Sequence, residues 1–106
     1  MLLFLLLLPL TYARFYCGLD PMTNLMMEIH TKLDCQSIVA QHDNCCMEHG
    51  FCYLRRHPYE SCDNAYCACV AFLAAEGICK FHGDNFCNTV RANGKNIYPM
   101  FTMEHG

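Results

Sequence analysis

The fold of this chain is decided by two stretches, DNCCMEHGFCY at residues 43–53 and CDNAYCAC at residues 62–69. Cys45 and Cys52 in the first stretch are seven residues apart, which places them on one helical face two turns from each other. The second stretch begins and ends with cysteines of the same spacing. Because the connection between the stretches is short, we expect two antiparallel neighbouring helices.

This arrangement predicts two disulfides across the helix pair. Cys45 faces Cys69, and Cys52 faces Cys62, so the bridges form two rungs about 10.5 Å apart along helices that rise 1.5 Å per residue. The other six cysteines allow 15 connectivities, and their spacing does not choose among them.

Composition restricts the class of protein further. A chain of 106 residues with 54% hydrophobic and 16% charged residues is a single globular domain and not a disordered one. The net charge of −3 gives no indication of nucleic-acid binding. Ten cysteines exclude an ordinary cytosolic domain and indicate five disulfides. Zinc binding is the rival interpretation, but separated CxxC pairs with zinc-finger spacing are missing.

The amino terminus has the features of an export signal. Residues 2–10 are apolar apart from Pro9, a run far shorter than the roughly 20 residues of a membrane-spanning helix. Small residues then precede a cleavage site after Ala13. We therefore expect a signal peptide at residues 1–13, a domain at residues 14–106 and a secreted, extracellular protein. An uncleaved anchor or an incorrect start is the alternative.

Periodicity predicts three helices. Asp20 and Pro21 are typical of a helix start. The apolar residues that follow are expected to face the core, and they are Met22, Leu25, Met26, Ile29 and Leu33. A second helix is expected over residues 37–56, ended by Pro58.

The third helix is expected over residues 61–76, capped by Ser61 and stopped by Gly77. Residues 68–75 are almost wholly apolar, which predicts deep burial. From residue 78 onward, glycine and asparagine indicate loops and turns. The expected fold is small, disulfide-rich and all-α, with two long antiparallel disulfide-linked helices and an additional N-terminal helix.

A candidate catalytic pair lies on the facing helices. His49 falls between Cys45 and Cys52 on the face turned toward the third helix, and Asp63 begins that helix. A histidine oriented by a partly buried aspartate is the arrangement of a general base. The alternative is a buried hydrogen bond between the two residues without chemistry.

The two stretches resemble the secreted phospholipase A2 family. Residues 43–53 resemble its active-site helix, whose motif reads C-C-x-x-H-D-x-C-Y, and residues 62–69 resemble the helix that carries its catalytic aspartate. The family's two cross-helix disulfides match the predicted rungs. The stretch FYCGLD at residues 15–20 is similar to the start of nematode secreted phospholipase A2-like proteins.

The resemblance implies a mechanism. His49 would take a proton from a water that attacks the ester at the second glycerol position of a phospholipid. Asp63 would orient His49, and Tyr53 would hydrogen-bond Asp63. The family binds calcium through an aspartate directly after the histidine and through a Gly-rich loop, whereas this chain has Gly50 and, over residues 17–34, a single glycine. We therefore predict no calcium or other cofactor.

Three functions remain open at this point. The first is a phospholipase A2-like protein that keeps the His/Asp pair, has little or no activity, and binds a phospholipid or membrane surface or a protein partner. The second is an active phospholipase A2 with unusual calcium ligands, to which Asp20, Asp34 or Asp84 could contribute, or with none. The third is an unrelated disulfide-rich secreted binding module. Adsorption to lipid is expected through exposed apolar residues near positions 98–103.

Overall fold

The computed structural model describes residues 15–105, with side chains described as far as residue 100. A short 3-10 turn, Gln36–Ile38, separates the first two of its four helices. The helices in chain order are α1 (Pro21–Asp34), α2 (Val39–Leu54), α3 (Tyr59–Leu73) and α4 (Gly77–His105). The part described contains no strand, which confirms the expected all-α, disulfide-rich class. The predicted signal peptide at residues 1–13 lies outside the described residues.

Helices α2 and α3 form the antiparallel pair on which the fold is built. Cys45 bridges to Cys69 and Cys52 bridges to Cys62, the two pairs that the seven-residue spacing predicts. Three further bridges complete the set that the spacing left open, and they are Cys17–Cys46, Cys35–Cys79 and Cys67–Cys87. The amino-terminal loop, α1 and α4 are thereby all tied to this pair or to each other.

The prediction of loops and turns after residue 78 is wrong, because that part of the chain forms the 29-residue helix α4. Phe86 and Val90 are buried on its inner face. The glycines lie within the helix and do not form turns: a Cβ added to Gly83 would make an ordinary contact of 3.6 Å with the carbonyl oxygen of Val70 on α3. Asn93 donates its side-chain amide to the carbonyl four residues earlier and so stays within the helix.

Helix α1 begins where expected but turns a different face inward. Asp20 is its N-cap and accepts a hydrogen bond from the backbone of Thr23 at 3.0 Å, with Pro21 in the first turn. All five apolar residues predicted to face the core are exposed, Leu33 to 76%. The buried residues of α1 are Met27, Glu28 and Thr31.

Tertiary links determine this rotation of α1. Cys17 precedes the helix and Cys35 follows it, and both are bridged to other elements. Glu28 accepts a hydrogen bond from the backbone N–H of Phe15 at 3.0 Å and pairs with Lys32 at 2.7 Å. A buried carboxylate with these partners occupies the inner face, which leaves the apolar stripe outside.

Helix α3 is less buried and differently bounded than predicted. Phe72 in its apolar stretch is 90% exposed, and Val70 is the buried residue there. The helix begins at Tyr59 with Pro58 as N-cap, so Ser61 is not the cap. Gly77, at a φ of 83°, begins α4 and lies beyond the end of α3. Within residues 15–105, no helix combines the length and apolar composition that crossing a bilayer requires.

Candidate active site

The structure brings together the three side chains that the sequence selects. His49 on α2 lies with its Nε2 2.8 Å from Oδ1 of Asp63 on α3. The hydroxyl of Tyr53, one turn after His49, donates to the same carboxylate oxygen at 2.6 Å. All three residues are buried, and the imidazole of His49 is completely inaccessible. The disulfide rungs on either side fix the two helices at the separation that this network needs.

A glycine on α4 closes the network and was not found from the sequence. A Cβ added to Gly94 would overlap Oδ2 of Asp63 and lie 2.9 Å from the hydroxyl of Tyr53. The position therefore needs a residue without a side chain. Its sequence signal, a glycine within an Asn-rich stretch, is the same as that of a turn.

The other nitrogen of His49 is also occupied. The carbonyl oxygen of Cys17, which lies in the loop that precedes α1, is 2.5 Å from Nδ1. The Cys17–Cys46 bridge holds this loop against α2, and Gly18 takes a φ of 75° to turn the chain there. A carbonyl oxygen only accepts hydrogen bonds, so Nδ1 carries a proton and donates it.

The two contacts determine how many protons the pair holds. A neutral imidazole has one N–H and one lone pair. With Nδ1 donating to Cys17, the bond to Asp63 needs a second proton, either on Nε2 as an imidazolium or on the carboxyl group. In both forms the ring has no lone pair free for a water. Both ring nitrogens of His49 are thus engaged in hydrogen bonds within the protein.

Tyr53 remains a donor over the ordinary pH range. Burial raises the pKa of its phenol, and the hydrogen bond to Asp63 raises it further. Tyr66 on α3 lies on another side of the imidazole, with ring centroids 5.4 Å apart. Burial raises its pKa as well. Two un-ionised phenols therefore enclose the pair.

The residues beside His49 do not fit a calcium ion. Gly50 supplies no carboxylate, and a Cβ at this position would lie 3.2 Å from the carbonyl oxygen of Tyr16. The three aspartates considered as substitutes are engaged elsewhere: Asp20 caps α1, Asp34 pairs with His82 at 2.7 Å, and Asp84 pairs with Lys80 at 2.6 Å. Across the described residues, no group of three or more His, Cys, Asp or Glu side chains could hold a metal ion.

Comparison with known proteins finds a relative with a corresponding name. A protein of Caenorhabditis elegans called phospholipase A2-like is 26% identical over 89 residues, which cover 81% of this chain and 51% of the relative. The chain thus spans about half the length of that relative. No protein-family model and no solved structure matches the chain. By its cysteine, histidine and aspartate pattern and by this relative, the chain is similar to the phospholipase A2-like proteins.

Proposed function

We propose that this chain is a secreted phospholipase A2-like protein that binds lipid surfaces without hydrolysing phospholipids. The observation that carries the proposal is the Cys17 carbonyl on Nδ1 of His49. The nitrogen that would activate a water donates to the backbone instead. Five disulfides, which pair all ten cysteines, fit an oxidising extracellular environment.

Two independent features argue against ester hydrolysis. A general base must come within hydrogen-bond reach of the proton it removes, and His49 is 2% exposed. Hydrolysis in the related family also needs calcium at the developing oxyanion, and Gly50 provides no ligand. Loss of one oxyanion-stabilising element costs about 10²–10³ in rate.

The exposed apolar residues of α1 support lipid contact. They form one stripe on the outer face of the helix, and they are Met22, Leu25, Met26, Ile29 and Leu33. Contiguous exposed apolar surface marks interaction sites. Tyr98, by contrast, packs edge-on against Tyr53 with centroids 5.3 Å apart and is half-buried. We therefore place the lipid contact on α1. Of the expected residues 98–103, Met100 is 60% exposed, and the side chains of residues 101–103 lie outside those described.

Hydrolysis of mixed phospholipid vesicles, with and without calcium, tests the proposal. We expect wild type and His49→Gln to release equally little fatty acid in both conditions. Calcium-stimulated release by wild type that His49→Gln abolishes would overturn the non-hydrolytic assignment.

Vesicle sedimentation tests the lipid contact separately. Because the net charge is −3, adsorption to zwitterionic vesicles should depend on apolar burial and change little with salt. Leu33→Glu should weaken it about tenfold or more, since a buried leucine side chain contributes roughly 1.5–3 kcal/mol. Binding that collapses in high salt would contradict this mode of contact.

A further inference from the structure

An apolar cavity lies beside the candidate site, between the loop before α1 and the outer edge of α2. Its volume is about 480 Å³, within the range of small-molecule sites. Gly50 forms part of the wall, at the position where the related family has its calcium carboxylate. The other walls are apolar or aromatic, namely Tyr16, Leu19, Met47, Phe51 and Leu54.

The amide side chain that lines the cavity is already hydrogen-bonded. Asn24 is the amide side chain in the lining. Its oxygen accepts from the backbone N–H of Cys17 at 3.3 Å, and its nitrogen donates to the carbonyl of Leu19 at 3.1 Å. A ligand inside the cavity therefore finds apolar contacts, which suits a hydrocarbon chain.

A cation lies beside one wall of the cavity. The guanidinium carbon of Arg55 is 5.7 Å from the ring centroid of Phe51, and Phe51 is both a cavity wall and 46% exposed. None of the described residues that line the cavity is charged. A ligand with a hydrocarbon chain inside and an anionic head at the opening would place that head near Arg55.

We propose that this cavity binds a single-chain anionic amphiphile, a long-chain fatty acid, with its chain against Leu19, Gly50 and Leu54 and its carboxylate near Arg55. A volume in the lower half of the usual range fits one chain better than the two chains of a phospholipid. The site is separate from the imidazole, because the loop carbonyl of Cys17 covers His49. The proposal deepens the proposed function and rests on its lipid binding without hydrolysis.

Titration of a dansyl-labelled undecanoic acid, kept below its micelle concentration, tests the site. The chain contains no tryptophan, so the dansyl emission is read without an intrinsic tryptophan signal. We expect one saturable site with a micromolar Kd. Leu54→Glu places a carboxylate in the apolar wall and should weaken binding at least tenfold. Ile78→Glu on α4 is the matched control, because Ile78 is an exposed aliphatic residue outside both the cavity and the apolar stripe of α1, and it should leave binding unchanged.

Arg55→Gln tests the position of the head group. It should weaken binding of the acid several-fold and leave competition by the corresponding methyl ester unchanged. Equal loss in both Glu variants would indicate unspecific adsorption and overturn the proposal, as would the absence of saturation. Vesicle binding that persists without fatty-acid binding would overturn this site while leaving the proposed function intact. Circular dichroism and disulfide mapping of each variant exclude misfolding as the cause.

Discussion

Gly50 lies so close to Tyr16 that a Cβ at position 50 would be 3.2 Å from the carbonyl oxygen of Tyr16. The same glycine contacts Gly18, whose own Cβ would lie 3.2 Å from the Cα of Gly50. Two residues without side chains thus let the loop rest directly on α2. The contact gives a structural reason for glycine at the position where the phospholipase A2 family, which the sequence resembles, has a calcium-binding aspartate.

Replacing Gly50 with Asp should therefore fail to create a calcium site. The new side chain pushes against the Tyr16 carbonyl, and overpacking of this kind costs about 1–3 kcal/mol. One carboxylate also falls far short of the 6–8 oxygen ligands that calcium takes. We expect a lower Tm for Gly50→Asp and no rise in Tm with calcium.

Asn44→Asp is the control for the added charge, since it places a carboxylate at an exposed position of the same helix. Its Tm should stay near that of wild type. A calcium-dependent increase in the Tm of Gly50→Asp, absent from Asn44→Asp, would show that the loop does accommodate the ion.

Gly94→Ala should destabilise the fold although alanine is the better helix former. Its Cβ would overlap the carboxylate of Asp63 and approach Tyr53, at an expected net cost of about 1–3 kcal/mol. Gly83→Ala is the matched control on the same helix, where the Cβ meets an ordinary contact of 3.6 Å. At position 83 the higher helix propensity of alanine should dominate and raise the free energy of unfolding by up to about 1 kcal/mol. Denaturant unfolding measures both, and equal effects would contradict the role given to Gly94.

Gly83 and Gly94 also show which features of the fold could not be predicted from the sequence. The spacing of Cys45 and Cys52 predicts the α2–α3 pair because helical period and disulfide reach are local geometry. Gly83 and Gly94 both look like turn residues in the sequence. The reason for a glycine at position 94 is the Asp63 carboxylate that α3 places opposite it, whereas an added Cβ at Gly83 meets only an ordinary contact. Helix α4 was therefore missed, although its inner face carries Phe86.

The candidate site likewise combines a contact that the sequence predicts with one that it does not. The contact of His49 with Asp63 follows from the two disulfide rungs and could be predicted. The contact of the Cys17 carbonyl with the imidazole could not be predicted, because a backbone oxygen has no sequence signature and the pairing of Cys17 with the other five cysteines was left open. The rotation of α1 depends on the bridges at its two ends, so its apolar stripe alone did not determine which face is buried.

The buried pair should show energetic coupling even without catalysis. His49→Gln and Asp63→Asn each remove one partner of a hydrogen bond inside the core, and an unsatisfied buried group costs about 1–3 kcal/mol. The double variant should lose less than the sum of the two, with a coupling energy of roughly 0.5–3 kcal/mol. Denaturant unfolding of the four proteins measures it, and simple additivity would contradict a shared network.

Acid should weaken the junction of α1, α2 and α4, where His42 is buried against Phe86 with ring centroids 5.7 Å apart. Burial lowers the pKa of His42 below its ordinary value of 6.5, and the nearby His82 lowers it further. The folded state therefore binds this proton less readily than the unfolded state. Stability from this group is present in full above pH 6.5 and is lost as the pH falls through the lowered pKa.

Two titratable groups of α1 contact His82, the histidine of α4 that lies near His42. His30 stacks on His82 at 5.1 Å between ring centroids, and Asp34 bonds His82 at 2.7 Å. A neutral glutamine at position 42 removes only the buried titration, so His42→Gln should show a smaller loss of Tm between pH 7 and pH 5 than wild type. His57→Gln, at an exposed position after α2, is the control and should follow the wild-type curve. If His42→Gln and wild type lose the same Tm on acidification, the pH dependence arises from other groups and this assignment to His42 is wrong.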